Sequence, residues 1–235
     1  MSDLLNIGKL SIPKITVGKE NVSEISLGRI KLWPNDITEI WGTQIVEVTN
    51  PINSRVWMDR NIGATRAALS LTDSEAYGHL FQWGRNPDGH ELRTSLTTST
   101  LSSTDVPGHS DFIIGNFDWL SFDWANPMNL WQDLSFGQWR LPTRAEWEAE
   151  IATWDLTNDE ASYNSILKVP LSGYKMHSDG ILGRVGARSL LWTNELHVDW
   201  QSIYVLYLES YNNELSAYID AYGMAYGASV RLIKD

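Results

Sequence analysis

The strongest constraint on this chain is a ten-residue repeat within its first 33 residues. Leu5-Asn6-Ile7-Gly8-Lys9 is followed by Ile12, Ile15-Thr16-Val17-Gly18-Lys19 by Val22, and Ile25-Ser26-Leu27-Gly28-Arg29 by Leu32. Each unit runs apolar-polar-apolar-Gly-basic, with another apolar residue three positions on. Alternation of period two marks a half-buried strand. A glycine after each apolar pair permits the positive φ that a tight turn needs. The pattern predicts three short strands or hairpin arms ending at Trp33-Pro34. About thirty such residues bury too little surface to be stable alone. They must dock on the main domain, on sister chains or on another protein. Ile7, Ile15, Val17, Ile25, Leu27, Leu32 and Trp33 form the expected attachment surface.

Charge sets this segment apart. Residues 1–33 carry five basic groups (Lys9, Lys14, Lys19, Arg29, Lys31) and three acidic ones (Asp3, Glu20, Glu24), a net of +2. The whole chain is at −11, so the remainder holds −13. Such a balance argues against a phosphate-binding surface, and no nucleic-acid partner is expected. Without any Cys, disulfides, thiolate metal sites and Cys nucleophiles are excluded. The N-terminus shows no secretory pattern, and no apolar stretch is long enough to insert in a membrane. Synthesis and folding in a cytoplasm are therefore expected. Twelve Trp and nine Tyr are many for 235 residues. Most should pin the core, each needing a partner for its polar atom.

Pro34-Asn35-Asp36 is a turn signal and divides an N-terminal β-repeat (residues 1–34) from an α+β domain (residues 35–235). Gln44–Thr49 and Arg55–Asp59 are expected strands, followed by a Ser/Thr/Gly/Pro-rich surface loop over 94–110. Asp111 to Asp133 has little periodicity and is expected to be irregular. Thr143 starts the clearest helix, with Glu146 completing a capping box. Trp147, Ile151 and Trp154 share one helical face, a core stripe. Strand-like runs follow at Ile166–Tyr174, Ser189–Thr193, Ser202–Leu208 and Ala228–Ile233. The third is apolar on both faces and is expected to be central in its sheet.

Four segments carry a family resemblance: Val56-Trp57-Met58-Asp59-Arg60-Asn61, Ala76-Tyr77-Gly78-His79-Leu80-Phe81-Gln82-Trp83-Gly84, Trp139-Arg140-Leu141-Pro142-Thr143-Arg144-Ala145-Glu146-Trp147, and Ala228-Ser229-Val230-Arg231-Leu232-Ile233-Lys234-Asp235. Pro170-Leu171-Ser172-Gly173-Tyr174 and Leu191-Trp192-Thr193 also match. In this order they resemble the C-type-lectin-like domains known as the Fibrobacter succinogenes major paralogous domain, relatives of the formylglycine-generating-enzyme fold. The resemblance covers about residues 44–235. It implies an α+β, C-type-lectin-like fold: a twisted antiparallel sheet, two helices, long loops and chain ends close together. A Cys often precedes the Trp-x-Leu-Pro element in that family. Phe136-Gly137-Gln138 stands there instead, so a disulfide at that place is excluded. The N-terminal repeat resembles short Gly-turn β-segments at the ends of phage structural proteins.

The chemistry of the residues points away from catalysis. The reactive Cys pair of formylglycine-generating enzymes is absent, and no Gly-x-Ser-x-Gly elbow occurs. His177 before Asp179 and His197 before Asp199 read as loop polars. No His pair has zinc spacing. The Glu-Pro-Asn and Gln-Pro-Asp tripeptides of calcium-dependent lectins are missing. Asp118, Asp123, Asn126, Asn129 and Asp133 offer oxygens of the kind Ca²⁺ takes. Solvated Asx-turns account for them as well. No other cofactor is expected.

The stretch 192–227 is rich in Tyr, Ser, Asn and Trp, the composition of evolved binding loops. Trp192, Asn194, Tyr211, Asn212, Asn213, Tyr218 and Tyr222 are the expected ligand-binding residues. Taken together, these features predict a non-enzymatic phage virion protein: a fibre, decoration or tail-tip component. Its residues 1–34 would meet other virion proteins, with a homotrimer expected. Its lectin-like domain would meet a host-surface glycan or protein. The alternatives are a bacterial surface adhesion protein and a purely structural capsid or tail protein.

Overall fold

The computed structural model describes residues 16–17, 20–21, 25–27, 30–33, 37–121, 131, 135–197 and 202–235. The chain divides into two compact units, Met1–Ile37 and Thr38–Asp235. In the first, Thr16–Val17 pairs antiparallel with Glu20–Asn21, and Ile25–Leu27 with Ile30–Trp33. A Gly-basic dipeptide separates the members of each pair in sequence: Gly18-Lys19 and Gly28-Arg29. Val17, Ile25, Leu27, Leu32 and Trp33 fall on these strands. Ile7 and Ile15 lie outside the described residues.

The second unit is mixed and mostly sheet. In chain order its principal elements are β1 (Glu47–Thr49), β2 (Val56–Met58), β3 (Phe81–Gln82), β4 (Ser135–Phe136) and β5 (Trp139–Arg140). The helices α1 (Arg144–Ile151) and α2 (Ala161–Asn164) follow. Then come β6 (Tyr174–Lys175), β7 (Leu182–Gly183), β8 (Arg188–Leu196), β9 (Ser202–Tyr211), β10 (Glu214–Gly223), β11 (Gly227–Ala228) and β12 (Ile233–Lys234). They build three antiparallel sheets, of order β4-β5-β12-β2-β1, β7-β6-β11-β3 and β8-β9-β10. The last strand, β12, sits between β5 and β2, so the start and end of the unit share one sheet.

Strand β9 is central in its sheet, and its side chains alternate between two cores. Ile203, Val205 and Tyr207 join Leu190 and Trp192 of β8 in one cluster with Trp83, Trp119, Trp131 and Trp139. Leu206 and Leu208 join Leu191 and Leu215 in the other, with Trp57, Trp147 and Trp154. Indole N–H groups cross-link the first cluster. Trp192 donates to Phe81 O at 2.7 Å, Trp83 to Thr193 O at 2.9 Å, and Trp119 to Trp83 O at 2.8 Å.

The Arg-Leu-Pro-Thr-x-x-Glu-Trp segment is a structural joint. Thr143 caps α1 by accepting from Glu146 N, while the Glu146 carboxylate accepts from Thr143 N. Arg140 grips the same carboxylate with two N–H groups, each at 2.8 Å, and reaches Asp235 with a third at 2.6 Å. These hydrogen bonds, Glu146 first, raise the Arg140 pKa further above its ordinary value. Trp147 packs tilted against Trp57 of β2, with ring centroids 4.6 Å apart and planes at 35°. Ile151 and Trp154 pack in the same core.

Arg231 is buried in the C-terminal segment. Its guanidinium donates to Asn61 Oδ1 at 3.0 Å, Met58 O at 3.1 Å and Leu167 O at 2.8 Å. Burial lowers its pKa to about 9, so it stays charged at neutral pH. Three buried hydroxyls complete the seam: Ser172 Oγ lies 2.9 Å from both Ser189 Oγ and Ser229 Oγ.

Two expectations are corrected. Residues 166–172 are irregular, not a strand; Gly173 makes an isolated bridge to Ser189, and only Tyr174 and Lys175 form a strand. Pro170 has no N–H to donate, and Lys168 and Gly173 take positive φ of 48° and 75°, which breaks a ladder. Conversely, 214–223 is a regular strand rather than a loop. Asn212 and Asn213, at φ 53° and 62°, make the two-residue turn that pairs it with β9.

Arg231→Ala should destabilise the fold by about 3–5 kcal/mol, because it leaves three buried acceptors from two segments without their donor. Thr143→Ala should cost about 1 kcal/mol. Urea unfolding measures both, and equal effects would contradict the anchoring role of Arg231.

Candidate functional site

The hairpin β9–β10 carries one continuous row of aromatic rings. Because side chains alternate, Ile203, Val205, Tyr207, Glu209 and Tyr211 share a face with Glu214, Ser216, Tyr218, Asp220 and Tyr222. Tyr207 and Tyr218 stand directly opposite and stack, with centroids 4.7 Å apart and planes at 28°. Tyr222 continues the stack at 6.5 Å from Tyr207, and Tyr226 meets Tyr222 edge-on at 5.0 Å. His177 lies 4.5 Å from Tyr226 and stacks on Phe117 at 4.7 Å. Depth varies along the row. Tyr207 is buried, Tyr222 and Tyr226 are half-buried, and Tyr218, Phe117 and Tyr211 are 47%, 58% and 71% exposed.

Polar groups fix the row at its tip end. The Arg188 guanidinium lies 4.8 Å from the Tyr207 ring centroid and pairs with Glu209 across the β8–β9 ladder. The Tyr207 hydroxyl donates to Glu209 Oε2 at 2.7 Å. Hydrogen bonds from Arg188 and Tyr207 lower the Glu209 pKa. Burial and the bond to Glu209 raise that of Tyr207. Burial also pushes Tyr222 up to about 12, with Asp220 adding to the shift. These phenols are therefore protonated hydrogen-bond groups at neutral pH. Such a face can stack on a ligand ring and bond its polar rim.

The structure places the expected ligand residues unequally. Tyr211, Asn212, Asn213, Tyr218 and Tyr222 belong to the hairpin, though Tyr218 and Tyr222 lie on strand β10. Asn194 is half-buried at the irregular end of β8, with its N–H on Pro142 O. Trp192 does not reach the surface: it is fully buried, with its indole N–H on Phe81 O. Arg188, Glu209, His177 and Phe117 were not anticipated, since only the fold brings them to the row. His177 Nδ1 donates to Asn116 O, 3.1 Å away, while Asp179 closes its own turn by accepting from Ile181 N. His197 rests edge-on against Tyr204, and Asp199 lies outside the described residues. In the acidic segment, Asp118 Oδ1 accepts from Leu120 N, an Asx-turn. Asp123, Asn126, Asn129 and Asp133 lie outside the described residues.

Among the described residues, Asp88, His90 and Glu91 bring ligand-type atoms within 4.8 Å of one another. The contiguous Asp-Gly-His-Glu run was legible in the sequence. Its atoms are already committed, however. His90 Nε2 accepts from Gln82 N, which puts the ring proton on Nδ1, facing Asp88 Oδ1 at 2.8 Å. Asp88 also accepts from Arg85, and Glu91 accepts from the N–H groups of Asp88 and Gly89. Burial alone would raise Asp88; the hydrogen bonds from His90 outweigh it and bring the carboxyl down to about 2. Burial lowers the His90 pKa, keeping the ring neutral. The cluster braces a turn.

Lys175 is the other buried cation near that turn. Its Nζ donates to Ser95 Oγ at 2.5 Å and Leu92 O at 3.2 Å, and sits 4.6 Å from the Phe112 centroid. Burial, assisted by Arg93, lowers its pKa to about 8.

No family model, curated protein or solved structure matches the chain.

Between pH 8 and 10.5 the unfolded chain holds a proton that folded Lys175 has lost. Stability should therefore rise with pH across that window. Relative to Lys175→Met, the wild type should gain stability from pH 8 to 10. A pH-independent difference in urea unfolding would show that Lys175 titrates normally.

Proposed function

We propose that this chain is a non-enzymatic component of a phage particle, a fibre, decoration or tail-tip protein. In this reading it is attached through residues 1–34 and displays a C-type-lectin-like domain to the host surface. The observation that carries the binding role is the exposed aromatic row on the β9–β10 hairpin. Tyr211 and Tyr218 stand out from it on regular, paired backbone, so little ordering entropy opposes their use. The lectin-like reading draws support from the shared sheet of β2 and β12, the two helices among the described residues, and the long irregular segments. The attachment reading draws support from the separate compactness of Met1–Ile37 and its paired strands.

A purely structural role within the particle is favoured by one feature. The polar groups Arg188, Glu209 and Tyr207 pair with one another within the face. Static packing against another virion protein would need no more. Imaging an assembled particle separates the two readings, since a receptor binder must turn Tyr211 and Tyr218 to solvent.

Tyr211→Ala and Tyr218→Ala should each reduce adsorption to host cells about tenfold or more, the effect of losing an aromatic anchor. Melting should be almost unchanged, because both rings are substantially exposed. Undiminished adsorption by both variants would remove the hairpin as the ligand face.

A further inference from the structure

The three-stranded sheet has two unlike edges. Along the outer edge of β8 the chain covers itself. Gly173 N donates to Arg188 O, Ser229 N to Leu190 O, Trp192 N to Ser229 O and Asn194 N to Pro142 O. Among the described residues, the outer edge of β10 has no such cover. All ten residues of β10 are in register with β9, without a bulge. The two-residue turn makes Tyr211 and Glu214 the closing hydrogen-bonded pair. Backbone groups of Leu215, Ala217, Ile219 and Ala221 therefore point away from β9. Among the described residues, only the Ala221 N–H of these outward donors finds a partner, the Asp220 carboxylate at 2.9 Å. Natural edges are blunted by Lys, Pro, bulges or short length. Strand β10 has no Lys, no Pro and no bulge.

We propose that β10 is a self-association edge, pairing antiparallel with β10 of a second copy about a two-fold axis at Tyr218. The side chains favour this register. Neighbouring strands lie about 4.8 Å apart, and the Tyr207 and Tyr218 rings already stack at 4.7 Å. Tyr218 thus presents its other ring face where the next strand would place a side chain, and it is 47% exposed there. About this axis Tyr218 meets Tyr218 of the second copy, Ser216 meets Asp220, Glu214 meets Tyr222, and Ala217 meets Ile219. Each carboxylate faces a hydroxyl. A register centred on Ala217 would instead set Glu214 against Asp220, two like charges. One centred on Ile219 would carry the pairing to Gly223. That end is closed by Phe117, whose carbonyl would lie 2.6 Å from a Cβ at Gly223.

The joined sheet runs β8-β9-β10 and back, and the two aromatic rows become one platform with Tyr207 and Tyr218 of both copies side by side. The contact is distinct from any association through residues 1–34, and it holds whatever the aromatic face binds.

The natural absence of Cys makes the test direct. Opposed residues in a non-hydrogen-bonded pair have Cα atoms about 4.5 Å apart, within disulfide reach. Full-length Tyr218→Cys should form a covalent dimer under mild oxidation at least about tenfold faster than full-length Tyr211→Cys, which is more exposed but off the axis. Far-UV circular dichroism checks that both fold. A Ser216→Cys/Asp220→Cys variant should cross-link likewise and decides between the outcomes where the Tyr218 substitution disturbs the fold. Rates equal to that of Tyr211→Cys overturn the proposal.

Discussion

Strand β9 must be covered on both faces, and the second unit is organised around meeting that demand. Ile203, Val205 and Tyr207 enter one tryptophan-rich core and Leu206 and Leu208 enter the other. A strand apolar on both sides costs little only if each face meets a closely packed layer. One layer comes from α1 and the segment around Trp57. The other comes from the short strands and loops that carry Trp83, Trp119 and Trp131. Trp83, Trp119 and Trp192 suit this task because each fills a large volume and still reaches across with an N–H.

Short strands alone give weak ladders, and the irregular segments are joined instead by buried polar groups. Arg231 collects acceptors from Asn61, Met58 and Leu167, while Arg140 ties the capping box of α1 to Asp235. The hydroxyls of Ser172, Ser189 and Ser229 connect three further segments. In each case a residue of the C-terminal strand region or its neighbour closes the unit. Removing one partner strands the others in an apolar interior, which makes these groups specific as well as stabilising.

The aromatic row follows from the same arrangement. At the tip, β9 and β10 extend past the first core, so the face that is core at Ile203 and Val205 becomes surface at Glu209 and Tyr211. Tyr207 lies at the transition, buried as a ring and polar at its hydroxyl. Strand β10 is the outermost strand of the sheet, and its alternation leaves Tyr218 and Ser216 open on that face. Surface and edge are thus two consequences of one hairpin overrunning its core.

Local patterns were legible wherever the physics is local. The capping box at Thr143 and Glu146, the paired strands around Gly18 and Gly28, and the central position of β9 depend on neighbours in sequence. The alternation Leu215, Ala217, Ile219 against Ser216, Tyr218, Asp220 was equally present. It was obscured because tyrosine serves both a binding loop and a half-buried strand face. Other features required the tertiary structure. Trp192 looks like any Trp two residues before an Asn, and only its place in the first core buries it. Arg188, Glu209, His177 and Phe117 lie up to 92 residues apart and share no motif. Their meeting depends on which strands pair and in which register. Periodicity reports the environment of a residue along its own element, whereas a site is fixed by distances between elements, and those exist only once the sheets have closed.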